Sequence, residues 1–112
     1  LGPGMAINIE ARKPVLSNKF GGMSGPAIKP VAIADVYKIY EAVKIPIIGT
    51  GGTVYGKDAI EMLMAGASAV GVGSAVYYRG YDVFKKITNE MIAWMKKNKV
   101  KSIKELIGVA HN

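Results

Sequence analysis

The sequence predicts an α/β fold built as a piece of a (β/α)8 TIM barrel, about two barrel strands with flanking helices. Two short apolar runs, Ile45-Pro46-Ile47-Ile48 and Ala67-Ser68-Ala69-Val70, each end in a glycine-rich turn, Gly49-Thr50-Gly51-Gly52 and Gly71-Val72-Gly73-Ser74. A helical pattern lies between them, giving strand, turn, helix, strand, turn in about thirty residues. The chain has 112 residues, less than half of the roughly 250 in a closed barrel.

Residues 1–25 carry no long periodicity; the Ile7-Asn8-Ile9-Glu10 alternation and Pro14-Val15-Leu16 fit either short strands or an excursion loop. Phe20-Gly21-Gly22-Met23-Ser24-Gly25-Pro26 is a turn, and Pro26 suits the first turn of a helix. Val31, Ile33, Val36, Ile39, Tyr40 and Val43 repeat a helical face, so this helix runs to about Val43. The run Ile45–Ile48 has the character of a parallel strand buried on both faces. Tyr55 to Ala65 reads as the next helix, with Ala59, Ile60, Leu63 and Met64 inward and Gly66 as its stop, and Ala67–Val72 is the second strand. Residues 81–98 form a long amphipathic helix on Val83, Phe84, Ile87, Met91, Ile92 and Met95, with Trp94 in a packing stripe beside the methionines. A last short helix starts at Ser102, with Glu105 at the capping-box position. Two strands alone leave apolar residues without neighbours, so the chain is expected to be oligomeric or part of a longer polypeptide. The opening Leu1-Gly2-Pro3-Gly4-Met5 supports the second expectation and shows no secretory pattern.

The chemistry lies in the turns. A phosphate dianion needs several donors at short range, and glycine lets backbone amides approach with no Cβ in the way. Gly51 and Gly52 fit this role, with Thr53 as a hydroxyl donor or helix cap and the following helix N-terminus as a source of positive potential. Gly73 and the Ser74 hydroxyl fit it from the neighbouring strand, and Ser24 and Gly25 offer a third set of donors. Neighbouring βα turns open at the same end of a barrel, so these groups can converge. Lys19 and Lys29 flank the first turn and read either as counter-charges or as surface lysines; Tyr77 and Tyr78, just after Ser74, read either as packing groups for a ligand ring or as core or interface residues.

Other chemistry is thin. There is no cysteine and one histidine, His111, read as a plain terminal residue, so neither a metal site nor a catalytic residue is assigned. Asp35, Glu41, Asp58, Glu61, Asp82, Glu90 and Glu105 fall at helical positions where exposure is the default. The net charge of +7 resides largely in lysines interleaved with Glu90 and Glu105 on helix faces, which argues for a solvated surface and against nucleic acid. The apolar runs are too short to span a membrane as helices, and a cytoplasmic location is expected.

Three segments, Ser17–Pro30, Ile45–Gly52 and Met64–Ser74, closely resemble dihydroorotate dehydrogenase, and most closely the class 1B catalytic subunits. The resemblance covers nearly the whole chain in the same order. It implies an FMN-dependent barrel that oxidises dihydroorotate to orotate in pyrimidine synthesis, of which residues 1–112 are the C-terminal part. By motif position Gly25, Gly51, Gly52, Gly73 and Ser74 would contact FMN, the last two pairs at its phosphate. It further implies two partners: the upstream barrel portion, which carries the catalytic base and the orotate-binding asparagines, and a subunit with FAD and an iron–sulfur cluster. A flavin barrel acting on another pyrimidine, or a non-catalytic half-barrel that binds FMN or a phosphorylated ligand, is the alternative.

Overall fold

The computed structural model describes residues 2–112; the opening Leu1 lies outside them. The first quarter of the chain forms two small antiparallel ribbons. Strand β1 (Pro3–Gly4) pairs with β4 (Gly21–Gly22), and β2 (Ile7–Asn8) pairs with β3 (Lys13–Pro14). Both readings of this region were therefore half right: the strands exist, but within an excursion whose side chains are mostly exposed.

The remainder is built on one parallel pair, β5 (Ile48–Thr50) and β6 (Ala69–Gly71), in the register Ile48↔Ala69, Gly49↔Val70, Thr50↔Gly71. Helix α1 (Lys29–Ala42) precedes β5 after a 3-10 turn at Pro26–Ile28, and α2 (Gly56–Ala65) crosses from β5 to β6. The short α3 (Ala75–Arg79), which the sequence pattern does not announce, and the long α4 (Val83–Lys97) follow β6. Two 3-10 turns, Ile103–Glu105 and Val109–His111, close the chain. The capping box expected at the first of them is present: Lys104 N–H donates to Ser102 Oγ (3.3 Å) and Ser102 N–H to Glu105 Oε2 (3.0 Å).

Strand alternation decides which face of the sheet is covered. Gly49 and Val70 face the helices, Gly49 so closely that a Cβ there would strike Met62 and Ala67. Ile48 and Thr50 face away and are exposed, Ile48 at 73% of its surface. The expectation of a strand buried on both faces is thus corrected. Among the described residues, helices cover one face of the pair and nothing covers the other.

The covered side is a continuous core centred on α2. Met62 and Ala65 pack with Ala32 and Val36 of α1; Ala59 packs with Val54, Ala75, Val83 and Ile87; Ile60 and Leu63 pack with Leu106, Trp94 and Met95. Met62, absent from the expected core, is fully buried. Conversely α1 turns Ala32 and Val36 inward and leaves Val31, Ile39 and Tyr40 exposed, and Phe84 and Ile92 of α4 are exposed as well. Small Ala32 wins the inward place because α1 and α2 approach closely there.

Helix α2 stops where expected. Gly66 has φ +128°, and a Cβ on it would run into the Tyr40 ring. The C-terminus then folds back: Gly108 N–H donates to the Leu63 carbonyl (3.0 Å) and His111 Nε2 lies 2.8 Å from the Ala65 carbonyl. The His111 ring stacks on Tyr37 at 3.8 Å between centroids. This histidine fastens the tail to α1 and α2, contrary to its reading as a plain terminal residue.

Met62→Ala is expected to cost about 2–5 kcal/mol, the range for emptying a fully buried long side chain. Urea unfolding of the purified protein would measure it, and Met64→Ala, at a half-buried position, should cost clearly less.

Candidate phosphate-binding site

Three turns meet at the C-terminal ends of β5 and β6. Residues 23–25 with Ile28, the run 50–53, and Gly71, Gly73 and Ser74 line one cavity of about 190 Å³. Every residue expected in the cofactor site, Gly25, Gly51, Gly52, Gly73 and Ser74, borders this cavity. No acidic side chain among the described residues lines it, and much of its wall is backbone. This lies where parallel α/β sheets present their ligands, past the carboxyl ends of the strands.

The glycines do different work. A Cβ on Gly73 would meet nothing within 4 Å, so the cradle is open there and only a ligand would feel the change. Gly52 has φ +74°, and a Cβ would stand 2.6 Å from Lys29 Cβ and 2.8 Å from the Lys29 backbone nitrogen. Gly52 is therefore required by the protein's own packing, which pins the second turn against the start of α1. Gly25 is buried, and the Tyr78 hydroxyl would lie 3.3 Å from a Cβ at that position. Tyr77 and Tyr78 are both exposed and meet edge-on at 5.5 Å between centroids.

Lys19 lies exposed, away from the cavity lining. Lys29 spends its ammonium on two carboxylates, Asp58 Oδ1 at 2.8 Å and Glu61 Oε2 at 2.7 Å. Asp58, expected to be solvated, is 5% exposed. Its other oxygen, Oδ2, accepts from Val54 N–H (3.1 Å) and Tyr55 N–H (2.9 Å). Those amides stand at the entrance to α2, the N-terminus expected to lend the site positive potential. Gly56 N–H is also taken, by Glu90 Oε2 at 3.3 Å. Thr53 does not cap α2, which starts after Tyr55; its Oγ1 is buried without a hydrogen-bond partner.

Burial pushes the Asp58 carboxyl up, but the Lys29 ammonium and the two backbone donors outweigh it and hold the group below the usual carboxylate range. Lys29 is raised in turn by its hydrogen bonds to Asp58 and Glu61, against a smaller opposing effect of burial. Sequence reasoning also passed over Arg79. Its Nη1 donates to the Val54 carbonyl (2.8 Å), its Nη2 pairs with Glu90 Oε1 (2.6 Å), and its guanidinium lies 4.5 Å from the Tyr55 ring centroid. The signal available for Asp58 was its place as third residue of a helix; for Arg79 there was none, because its partners are remote in sequence.

Comparison with known proteins gives the family. The dihydroorotate dehydrogenase family model matches residues 1–95. The chain belongs to the dihydroorotate dehydrogenase family. It is 56% identical over 108 residues to the dihydroorotate dehydrogenase B (NAD(+)) catalytic subunit of Methanocaldococcus jannaschii, covering 96% of this chain and 35% of that protein. The subunit of the same name from Methanothermobacter thermautotrophicus is 53% identical over 112 residues, covering 100% of this chain and 37% of that one. Among solved structures, the ligand-free dihydroorotate dehydrogenase of Eimeria tenella superposes with a TM-score of 0.79 at 28% identity, over 97% of this chain and 31% of that chain. The chain thus spans about a third of the length of the relatives it matches. No helix among the described residues is long and apolar enough to cross a membrane, and none of their His, Asp and Glu side chains cluster to hold a metal.

The Lys29–Asp58 pair fixes the pH response of this region. Asp58 is depressed on folding, so its contribution is present above about pH 4, its unfolded value, and is lost as pH falls through the lower folded value. Lys29 is raised, so its contribution holds below about pH 10.4 and is lost as pH rises through the folded value. Stability measured against pH should have an acid limb that Asp58→Asn flattens; an unchanged acid limb in that variant would refute the assignment.

Proposed function

We propose that this chain is the C-terminal, cofactor-gripping part of a dihydroorotate dehydrogenase that oxidises dihydroorotate to orotate in de novo pyrimidine biosynthesis. The observation that carries this reading is the convergence of three glycine turns on one cavity, in a chain of this family. Residues 1–112 then form the C-terminal part of an FMN-binding TIM-barrel domain. The bare face of the β5–β6 pair, with Ile48 and Thr50 outward, suits the interior of a barrel whose other strands come from the upstream portion.

The cradle fits a phosphate monoester. Its walls are backbone-rich and free of carboxylates, and the open space at Gly73 admits an oxygen where a side chain would stand. Gly51, Gly52, Gly73 and Ser74 would hold the phosphate of FMN, and Gly25 would lie against the cofactor from the third turn. Bound flavin would supply the two-electron acceptor, and the protein would supply its placement. No residue of this chain is assigned to proton removal. The relatives are named catalytic subunits, which supports a second, electron-carrying subunit as partner.

The test joins this chain to the upstream portion its relatives carry and titrates FMN and riboflavin by fluorescence. FMN should bind much more tightly than riboflavin, and dihydroorotate should reduce the bound flavin. Gly73→Val should leave the fold intact but weaken FMN roughly a hundredfold, the loss of two charge-assisted hydrogen bonds at about 1.5 kcal/mol each. Gly52→Ala should instead lower stability, since its Cβ meets Lys29. Equal affinity for FMN and riboflavin would sink the phosphate assignment, and flavin binding without turnover would favour a non-catalytic module.

A further inference from the structure

We propose that Asp58 and Arg79 are positioning residues that preset the phosphate cradle by holding the backbone of Val54 on both sides of its Cα, at the N–H and at the C=O. The inference rests on the cradle being the phosphate site. Val54 N–H donates to Asp58 Oδ2 (3.1 Å), and the Val54 carbonyl accepts from Arg79 Nη1 (2.8 Å). Neither side chain lines the cavity, so neither touches the ligand.

Each residue brings a different wall of the cradle to Val54. Asp58 Oδ1 accepts from Lys29 Nζ at 2.8 Å, and the Lys29 backbone packs against Gly52. The first turn, which leads through Pro26–Ile28 into α1, is thereby tied to the second. Arg79 is the last residue of α3, the helix that follows Ser74, so its bond ties the third turn to the second. Glu90 of α4 completes the frame by pairing with Arg79 Nη2 (2.6 Å) and accepting from Gly56 N–H (3.3 Å).

The physical need is plain. Gly51 and Gly52 sit at φ +138° and +74°, and glycine turns lose more freedom on ordering than any other sequence. A loop that orders only when ligand arrives spends binding energy on that ordering. Here Val54, two residues beyond Gly52, is held at its N–H and its C=O by charged groups, which make stronger hydrogen bonds than neutral ones. The ordering is completed on folding, before any ligand binds.

The experiment compares FMN with riboflavin on the complete barrel carrying Asp58→Ala, Asp58→Asn or Arg79→Lys, with Asp82→Asn, from an exposed pair with Lys86, as control. Asp58→Ala and Arg79→Lys should each weaken FMN about tenfold, as loss of an outer positioning group typically does. Riboflavin should change by less than about twofold, because it lacks the phosphate that the cradle holds. Asp58→Asn should recover part of the loss, since the amide oxygen still accepts from Val54 N–H. In the unsubstituted protein without ligand, the Val54, Tyr55 and Gly56 amides should exchange slowly with deuterium. Unchanged FMN affinity in folded variants would overturn the proposal. Fast exchange of those amides that slows only with FMN would overturn it too, and this measurement decides if the variants fail to fold. An unsubstituted protein that does not prefer FMN to riboflavin would instead remove the phosphate site itself.

Discussion

Two parallel strands cannot be joined by a hairpin, so the chain between Thr50 and Ala69 must cross back over the sheet, which it does as α2. That crossover has to be covered on nearly every side. Its residues Ala59, Ile60, Met62, Leu63 and Ala65 are all buried, against α1 on one flank, α4 on another and the C-terminal turn at its end. The placement of α2 then sets the distance between the two glycine turns that bracket it. Core packing and ligand geometry are therefore one problem in this chain.

The polar part of the structure follows from the same helix. Helix N-termini leave donors unpaired, and in many phosphate proteins the ligand takes them. Here Asp58 and Glu90 take them first. Their charges are balanced by Lys29 and Arg79, which come from the elements carrying the other two turns. An arrangement that looks like helix capping is also the joint between three loops. Neither a carboxylate nor a lysine lines the cavity among the described residues.

The uncovered face is as informative as the covered one. Ile48 projects from β5 with most of its surface in water, beside Thr50, on a sheet of two strands. Isolated parallel pairs with one bare face are poorly stable, and all-parallel sheets are normally covered on both sides. Together with a span of about a third of its relatives' length, this supports a segment that folds fully only against further strands.

The sequence by itself determined the order of the main helices and strands from residue 26 onward, apart from the short α3 and the last 3-10 turn, and it gave the two glycine turns their place after the strands. Local rules govern these: an apolar run, a glycine stop at Gly66, a proline at the start of a helix, a capping box at Ser102 and Glu105. It also placed Gly25, Gly51, Gly52, Gly73 and Ser74 in a single candidate site, which the fold brings to one cavity. What only the tertiary structure decided was partnership. That Lys29 is spent on Asp58, that Arg79 reaches Val54, that His111 stacks on Tyr37 and that Ala32 rather than Val31 faces the core all depend on residues 25 to 74 positions apart or on how closely two helices approach. Periodicity reports which side of a helix is apolar, but contact between remote elements is fixed by packing, and packing is a property of the assembled chain.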